Sequence, residues 1–368
     1  MQNDAQIMKK VIALARLGGK KVRSNPLVGA ILLDRQGNLL GQGYHEIYGG
    51  NHAEINAIND AKSRGFSLKN AVLYVNLEPC CHFGKTPPCA DAIIAEKIGK
   101  VIVGMRDISR LVQGRGVEIL KNAGIEVITG CLEEKCWDLN GVFLVNQAHD
   151  RPYINVKIAM TIDGKMADFT GKSNWISSEK SRKYVHNIIR SDADAILSSA
   201  KTIICDNPWL NIRIKTQVIS PTLVILDKKL ELLQRPELNI FKDKNRKIIF
   251  ICEEVPGKIY DGMEFISSNI INGKIDLHSA LRRLYLEYKI CKISTECGGG
   301  VVSYLLENDL FDELNIFTAP ILSCAGGKGA FLFDKNLEIS CWNRLKLNEI
   351  KNFNGDILAR YTNHLNIV

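Results

Sequence analysis

"AVLYVNLEPCCHFGKTPPCADAIIAEKIGKVIVGM" (residues 71–105) is the stretch that decides the fold of the first part of the chain. A short apolar run opens it, and a second, KVIVGM (100–105), closes it, and both predict strands. Between them, Pro87 and Pro88 precede a helical segment that Gly99 ends. The order of strand, helix and strand indicates part of a sheet that is covered by helices.

The same alternation continues on both sides of this stretch. Upstream, VGAILLD (28–34) predicts a strand, GNLLGQGYH (37–45) its hairpin partner, and AEINAINDAKSRG (53–65) a helix. Downstream, GRGVEILKNAGIEVITG (114–130) predicts one more helix and strand. The pattern breaks near NQAHDRPY, where we predict a linker at about 146–152.

A second alternating series follows the linker, and it predicts a second α/β domain. With 368 residues, the chain is longer than one ordinary core supports, so we predict domains at 1–147 and 148–368. The predicted strands and helices of the second series are YINVKIAM (153–160), helix 178–191, DAILSS (194–199), TLVILD (222–227), KIIFIC (247–252), helix 277–288, CKISTE (291–296), helix 301–308 and ELNIFTA (313–319).

The composition is that of a globular protein, with 46% hydrophobic and 24% charged residues. No apolar run approaches the about 18 residues of a membrane span. The basic N-terminus has Ile7, Val11 and Leu14 at helical spacing and lacks a secretory signal, which predicts an amphipathic helix; a mitochondrial presequence is the alternative.

Cysteine count and net charge bound the cellular setting and the ligands. Eleven cysteines, an odd number in a long chain, do not indicate a disulfide framework, and we expect a cytoplasmic protein. The net charge of +8 is spread over both halves. It suits anionic small molecules at least as well as nucleic acid, for which a dense basic stripe is typical.

Histidine, glutamate and cysteine residues in the first domain indicate a zinc site. NHAEINAI (51–58) carries His52 and Glu54, and EPC (78–80) follows a predicted strand. A His-x-Glu element with a Pro-Cys element is the signature of zinc deaminases, in which three protein ligands leave one position open for water. The spacing from Cys80 to Cys89 is longer than in that signature. We predict that His52, Cys80 and Cys89 bind zinc and that Glu54 is catalytic and transfers protons.

Alternatives to this ligand set remain at the level of residues. Cys81 competes with Cys80, which we choose because it follows Pro79, and His82 is a rival nitrogen ligand that we interpret as a substrate contact. The motif is also compatible with a purely structural zinc site, or with a surface helix beside buried thiols.

Longer motifs in both halves resemble one known family. The deaminase half of the RibD family of riboflavin-biosynthesis enzymes is similar to SNPLVGA (24–30), GYHEIYGGNHAE (43–54), LEPCCHFGKTPPCADAI (77–93) and GRGVEIL (114–120). Its reductase half is similar to INVKIAMTIDGKMA (154–167), GKSNWIS (171–177), DNPWLNIR (206–213) and ECGGGVVSYLLENDLFDEL (296–314). The resemblance implies a cytidine-deaminase-like domain, followed by a dihydrofolate-reductase-like domain.

The resemblance also implies two reactions. Zinc-dependent deamination of a phosphoribosylated diaminopyrimidine comes first, and NADPH-dependent reduction of its ribosyl group to a ribityl chain follows. The implied NADPH contacts are Ala159, Trp175, Thr202, Asp206, Gly298, Gly299, Gly300, Val301, Val302, Ser303 and Tyr304. The implied substrate contacts are Asn25, His45, His82 and Lys85 in the first domain and Lys157, Ser173, Arg190, Leu210, Arg213 and Glu296 in the second.

Some positions depart from the family pattern. Cys81 stands where the family usually has serine, DISRLVQGRG (107–116) replaces a proline-containing loop, and MTIDG (160–164) replaces the commoner ASLDG. For partners, we expect a small phosphorylated pyrimidine, no nucleic acid, no membrane and a homo-oligomer. Two other classes share some of these features: a transfer-RNA base deaminase with an accessory nucleotide-binding domain, and a non-catalytic protein with a relict zinc site.

Overall fold

A computed structural model describes residues 3–83, 87–108, 114–173, 175–214, 217–324, 326–333, 338 and 343–363. The chain divides into two compact units, Met1–His149 and Asp150–Val368, here called the first and the second unit. The predicted boundary after residue 147 lies just before this division. None of the helices in the described ranges combines the length and the apolarity that a membrane crossing requires.

The first unit contains one five-stranded sheet with the order β2-β1-β3-β4-β5. Strand β1 pairs antiparallel with β2 and β3, whereas β3, β4 and β5 run parallel. The strands are β1 (Gly29–Leu33), β2 (Leu39–Tyr44), β3 (Val72–Leu77), β4 (Lys100–Met105) and β5 (Glu126–Thr129). The helices are α1 (Asp4–Ala15), α2 (Ala53–Ser63), α3 (Cys89–Ala95), α4 (Arg115–Asn122) and α5 (Glu133–His149), with a 3-10 segment at Arg16–Val22. The predicted sheet covered by helices is confirmed.

Helices pack on both faces of this sheet. Alternate strand residues such as Leu73 and Val75 form a buried cluster with apolar residues of α2, α3 and α4. Tyr74, between them, points the other way and donates a hydrogen bond to Asp4 of α1 (2.8 Å). Helix α2 lies very close to β2, because a Cβ at Gly43 would stand 2.6 Å from the backbone nitrogen of Ala57.

Helix α5 corrects the sequence interpretation, which predicted a linker at 146–152 and no helix before it. The helix continues to His149. Its buried residues include Asn140, Gly141 and Asn146, so no clean apolar period marks it. The Asn140 side chain accepts a hydrogen bond from the Leu27 backbone N–H (2.8 Å) and donates one to the Leu27 carbonyl (3.1 Å), which holds the segment before β1.

The second unit is built on a nine-stranded sheet with the order β13-β12-β11-β8-β16-β6-β17-β20-β19. Its first seven strands run parallel, and β20 and β19 are antiparallel. The strands of this sheet are β6 (Tyr153–Thr161), β8 (Ala195–Ser199), β11 (Thr222–Leu226), β12 (Ile248–Cys252), β13 (Met263–Ser267), β16 (Lys292–Thr295), β17 (Glu313–Ala319), β19 (Lys346–Phe353) and β20 (Asp356–Thr362). Separate two-stranded pairs are formed by β7 (Lys165–Ala167) with β18 (Lys328–Gly329), β9 (Ile212–Ile214) with β10 (Gln217–Ile219), and β14 (Ile270–Ile271) with β15 (Lys274–Ile275). The helices are α6 (Glu179–Tyr184), continued by a π-helix (Val185–Arg190), α7 (Ala200–Asp206), α8 (Leu277–Leu286) and α9 (Gly299–Glu307), with 3-10 turns at Glu231–Gln234 and Asn239–Phe241.

Parallel strands bring their carboxyl ends to one edge of the sheet, where ligands of open α/β sheets bind. Strand β8 leads through Ser199 into α7, and β16 leads through Glu296 into α9. Helix α9 begins at Gly299 and not at residue 301 as predicted, so the glycines form its first turn. Gly299 has to be glycine-sized here, because a Cβ would stand 2.7 Å from the Gly329 carbonyl oxygen.

Candidate active sites

The predicted zinc ligands meet at the carboxyl end of β3 in the first unit. His52 precedes α2, Cys89 is the first residue of α3, and Cys80 lies in the segment after β3. Nδ1 of His52 is 3.4 Å from Sγ of Cys80 and 3.3 Å from Sγ of Cys89, and the three ligand atoms lie within 4.8 Å of one another. Tetrahedral zinc with bonds of about 2.0–2.3 Å separates its ligand atoms by about 3.5 Å, so the donor set fits the metal.

The two neighbouring thiols differ in their surroundings. The Cys89 thiol donates to Cys80, and together with His52 it lowers the pKa of Cys80 to about 4 although burial opposes the change. The backbone N–H of Cys89 also donates to Sγ of Cys80 (3.3 Å). Burial and the nearby Glu78 carboxylate raise the pKa of Cys81 instead. Zinc binds thiolates, so the geometry and the charge both favour Cys80.

Glu54 lies beside this group as the second residue of α2, where its side chain is only 3% exposed. Among the described residues, the candidate metal ligands are the His and the two Cys, and Glu54 stands outside that set. Burial, followed by the charge of Cys80, raises the pKa of Glu54 to about 7. A carboxyl group with a pKa near neutrality can both accept and donate a proton at physiological pH.

Two of the predicted substrate residues also lie at this site. Asn25 donates from Nδ2 to Nε2 of His45 (3.1 Å), and Nδ1 of His45 is 2.9 Å from the Asn51 carbonyl oxygen. The His45 ring stands edge-on to that of His52, with centroids 5.6 Å apart. Burial lowers the pKa of His45. His82 is exposed, and the predicted contact Lys85 lies outside the described residues.

The sequence interpretation missed the part that Glu78 plays. Its carboxylate is buried and accepts hydrogen bonds from the backbone N–H groups of Asp107 (3.2 Å), Gly114 (3.1 Å) and Val117 (3.1 Å). It therefore caps the start of α4 from a distant part of the chain. Glu-Pro-Cys marked the position, but only the fold reveals which amides the carboxylate holds.

The second unit has a cavity of about 1020 Å³ at the carboxyl ends of its parallel strands. Fifteen of the predicted NADPH and substrate residues line it: Lys157, Ala159, Ser173, Trp175, Arg190, Thr202, Asp206, Leu210, Arg213, Glu296, Gly298, Gly299, Gly300, Val301 and Tyr304. Val302 and Ser303 do not. Val302 belongs to the core, and the Ser303 hydroxyl accepts a hydrogen bond from the Leu332 N–H (2.6 Å).

An ion pair between Arg190 and Glu296 forms part of the lining of this cavity. Arg190 pairs with Glu296 through Nε and through Nη2, the latter at 2.7 Å, and donates from Nη1 to the Asn211 carbonyl (2.6 Å). Burial acts to raise the pKa of Glu296, but the Arg190 guanidinium outweighs it and the pKa lies below the ordinary value. Burial lowers the pKa of the neighbouring Lys157.

The starts of α7 and α9 are joined by hydrogen bonds in the lining of the cavity. The Ser199 hydroxyl caps α7 through the Thr202 N–H (3.4 Å), and the Thr202 hydroxyl accepts a hydrogen bond from the Gly298 N–H (3.2 Å). A Cβ on Gly300 would meet nothing within 4 Å, so a ligand can approach the backbone there. Ser173 donates to Asp206 (3.0 Å).

Cations exceed anions in the lining of the cavity. Only Asp206 and Glu296 contribute carboxylates among the described lining residues. Eight lysines and arginines oppose them: Lys157, Arg182, Arg190, Lys201, Arg213, Lys228, Lys274 and Lys328. Such a field attracts anionic ligands, including phosphates. The sequence interpretation missed five of these cations and His186, because helices, short strands and one loop from distant parts of the chain supply them.

Comparison with known proteins identifies both units. A family model described as "Cytidine and deoxycytidylate deaminase zinc-binding region" matches residues 1–105. A second model, "RibD C-terminal domain", matches residues 152–359. Both predicted fold assignments are confirmed by these matches.

Relatives match both units together. The riboflavin biosynthesis protein RibD of Aquifex aeolicus is 37% identical over 364 residues, which cover 96% of this chain and 97% of that protein. The RibD protein of Escherichia coli is 30% identical over 96% of this chain and 98% of its own length. Each match spans both units in one alignment.

Solved structures agree with these relatives. The crystal structure of a diaminohydroxyphosphoribosylaminopyrimidine deaminase/5-amino-6-(5-phosphoribosylamino)uracil reductase from Thermotoga maritima superposes with a TM-score of 0.84 at 34% identity, over 98% of each chain. A RibD structure from Acinetobacter baumannii has a TM-score of 0.81 at 30% identity, again over 98% of each chain. The chain therefore belongs to the RibD family of bifunctional riboflavin biosynthesis proteins, with a zinc-dependent deaminase domain followed by an NADPH-dependent reductase domain.

Proposed function

We propose that the chain catalyses two successive reactions in riboflavin biosynthesis. The first unit deaminates 2,5-diamino-6-(5-phosphoribosylamino)pyrimidin-4(3H)-one. The second unit then reduces the ribosyl group to give 5-amino-6-(5-phosphoribitylamino)uracil. The observation that carries the proposal is the close approach of His52, Cys80 and Cys89, with the buried carboxyl of Glu54 beside them.

In the deaminase site, His52, Cys80 and Cys89 would hold the metal. When bound, zinc supplies a Lewis acid that activates a water molecule for attack on the ring carbon. Glu54 takes up the proton of that water and delivers protons to the ring nitrogen and the leaving amine. Its pKa of about 7 supports both directions of transfer. The Asn25–His45 pair, joined at 3.1 Å, orients the ring and the ribose phosphate.

In the reductase site, bound NADPH would supply a hydride for C1′ of the ribosyl group. The bond between C1′ and the ring oxygen breaks, so that oxygen must receive a proton. We assign this proton to Lys157, which lines the cavity and whose pKa is lowered by burial. Glu296 and Arg190 hold each other beside it, and Arg190 also contacts the Asn211 carbonyl.

The remaining assignments concern the two phosphate-bearing ligands. Ala159, Trp175, Thr202, Asp206 and the first turn of α9 would contact NADPH, with the amides near Gly300 open to a phosphate. Ser173, Leu210 and Arg213 would contact the substrate of the second reaction. In the first unit, His82 and Lys85 would complete the substrate site.

We propose a cytoplasmic homo-oligomer that acts on this small pyrimidine and not on nucleic acid. The family models account for both units, and they give no support to a transfer-RNA base deaminase. The proposed domains are 1–147 and 148–368, and the compact units of the structure divide two residues later, after His149. A fragment of residues 151–368 should fold cooperatively and bind NADPH, and a folded fragment that does not bind NADPH would refute the cofactor assignment.

A coupled assay tests the function. The purified protein is given the pyrimidine substrate with and without NADPH, and ammonia release and NADPH absorbance are followed. We expect ammonia in both cases and NADPH consumption only after deamination. Ammonia release without any oxidation of NADPH would refute the second half of the proposal. If the protein reduces a supplied deaminated intermediate with NADPH but releases no ammonia from the first substrate, the first half is refuted.

A further inference from the structure

His186 is a buried histidine of the reductase cavity that has no role in the assignments above. It lies on the π-helix Val185–Arg190, which continues α6, and is 9% exposed. It lines the cavity together with Arg190, four positions later on the same segment. Short π-helical segments are rare and occur frequently at functional sites.

The hydrogen bonds of His186 determine which ring nitrogen carries the proton. The backbone N–H of Arg213 donates to Nδ1 (3.1 Å), so Nδ1 is the acceptor. In a neutral imidazole the proton is then on Nε2. The Nε2 atom is 3.3 Å from Nη2 of Arg213, which carries only hydrogens. Two donors cannot satisfy each other, and among the residues that the structure describes Nε2 has no acceptor.

The charges around His186 keep it neutral. Burial, followed by the positive charges of Arg190 and Arg213, lowers its pKa to about 4. Glu296 acts in the opposite direction, and Lys157 adds to the lowering. The ring therefore offers one N–H at neutral pH and does not titrate in the physiological range.

Arg213 is the cation beside that N–H. Arg190 already uses its guanidinium on Glu296 and on the Asn211 carbonyl. Arg213 is exposed, and within the described ranges its guanidinium has no carboxylate partner. A guanidinium and an imidazole N–H that converge without an acceptor form a site for an anion with several oxygens, for which phosphate is the matching chemistry.

We propose that His186 is a substrate-binding residue of the reductase site, and that its Nε2–H and the Arg213 guanidinium together hold the phosphate ester of 5-amino-6-(5-phosphoribosylamino)uracil. This inference rests on the proposed function of the second unit. It adds a neutral donor, fixed in one tautomer by the Arg213 backbone N–H, to the substrate contacts that the sequence predicted.

The test compares His186→Leu with His186→Gln, in which the amide Nε2 can replace the ring N–H. A hydrogen bond to a charged group corresponds to about 10- to 100-fold in affinity. We expect the leucine variant to raise KM for the phosphorylated substrate at least about 10-fold, with kcat within about twofold. We expect the glutamine variant to stay within about threefold. His278→Leu, at an exposed histidine of α8, is the matched control and should leave KM unchanged.

Two further measurements identify the anion. With the substrate that lacks the phosphate, the wild type and His186→Leu should have equal KM values, and their Kd for NADPH should be equal. A KM that rises equally for both substrates, a loss confined to kcat, or a weakened NADPH complex would overturn the proposal. The last outcome would assign the subsite to a cofactor phosphate.

A direct binding measurement separates this inference from the proposed function. Ribose 5-phosphate, titrated calorimetrically into the NADPH complex, should bind His186→Leu at least about 10-fold more weakly than the wild type. Equal affinities would overturn the subsite. If the wild type reduces neither substrate, the proposed reductase function fails, and the ribose 5-phosphate titration still decides the role of His186.

Discussion

The two sites of this chain are assembled in different ways. In the first unit, the zinc ligands and Glu54 come from the starts of two helices and one adjoining loop, within one helix–strand–helix region: His52, Glu54, Cys80 and Cys89. In the second unit, the cavity gathers residues from Lys157 to Leu332. A metal centre needs few ligands at fixed geometry, whereas a cavity for two phosphate-bearing molecules needs a wide wall. The first kind of site can therefore be predicted from short motifs of ligand residues, and the second cannot.

The largest expected effect concerns the metal ligands. Cys80→Ser removes the thiol whose pKa is lowered to about 4 and should weaken zinc binding by more than about 100-fold, because loss of an outer-shell partner alone costs about 10- to 100-fold. Deamination should be lost with the zinc, while reduction of the deaminated intermediate continues. Metal analysis after dialysis against a chelator measures this.

Cys81→Ser is the matched control for that variant. Cys81 is the adjacent thiol with a raised pKa, so its replacement should leave zinc at about one per chain. Zinc retained in Cys80→Ser, or lost in Cys81→Ser, would show that the wrong thiol was chosen.

A corresponding variant tests the second unit, where reduction and not deamination should be impaired. Glu296→Gln removes the charge that pairs with Arg190, and hydrogen bonds to charged groups correspond to about 10- to 100-fold in rate or affinity. We expect kcat/KM of the reduction to fall in that range and deamination to stay within about twofold. Both half-reactions are assayed separately on one preparation, and a parallel loss of deamination would contradict the separation of the two sites.

The same ion pair predicts a pH dependence of stability. Because the pKa of Glu296 is lowered in the folded chain, the pair stabilises the second unit above the ordinary glutamate value of 4.5 and loses this contribution as pH falls through the lower folded pKa. The thermal unfolding temperature of the wild type should therefore fall more steeply below about pH 4.5 than that of Glu296→Gln. Equal slopes would show that the pair does not contribute.

The difference between the two units also explains what the sequence could predict. Strand KVIVGM was predicted to the residue, because short apolar runs between turn signals mark buried strands. Helix α5 was missed, because Asn140 and Asn146 interrupt its apolar face. The start of α9 was predicted too late, because glycine disfavours helix interiors. The sequence did not reveal that Gly299 begins the helix where the backbone of Gly329 passes close to it.

Site prediction followed the same division. The His-x-Glu and Pro-Cys elements indicated the zinc ligands and Glu54, although the spacing from Cys80 to Cys89 departs from the signature, while the cavity residues depended on family resemblance. Resemblance transfers a segment as a whole, so it included Val302 and Ser303, whose side chains face the core and the Leu332 amide. The resemblance did not indicate His186. Its tautomer is fixed by the backbone N–H of Arg213, which is distant in the sequence and comes close only in the folded chain.

The smallest expected effect concerns Glu78, the buried carboxylate that caps α4 in the first unit. Glu78→Gln weakens the acceptor of three backbone N–H groups and should lower the free energy of unfolding of the first unit by about 1–3 kcal/mol. Glu126→Gln is the control, because its pair with Lys100 is exposed and such pairs contribute about 0–1 kcal/mol. Denaturant titration measures both, and equal effects would remove Glu78 as a support of α4.

The central claim is that one chain carries two independent chemistries, and Glu54→Gln tests it most directly. The variant keeps the shape of a buried residue that stands outside the candidate ligand set, and removes its proton transfer. On one preparation, zinc should stay near the wild-type content, deamination should fall at least about 10²-fold, and reduction of the deaminated intermediate should stay within about twofold. Loss of zinc would make Glu54 a ligand or a determinant of folding, and a matching loss of reduction would contradict the account of two separate sites.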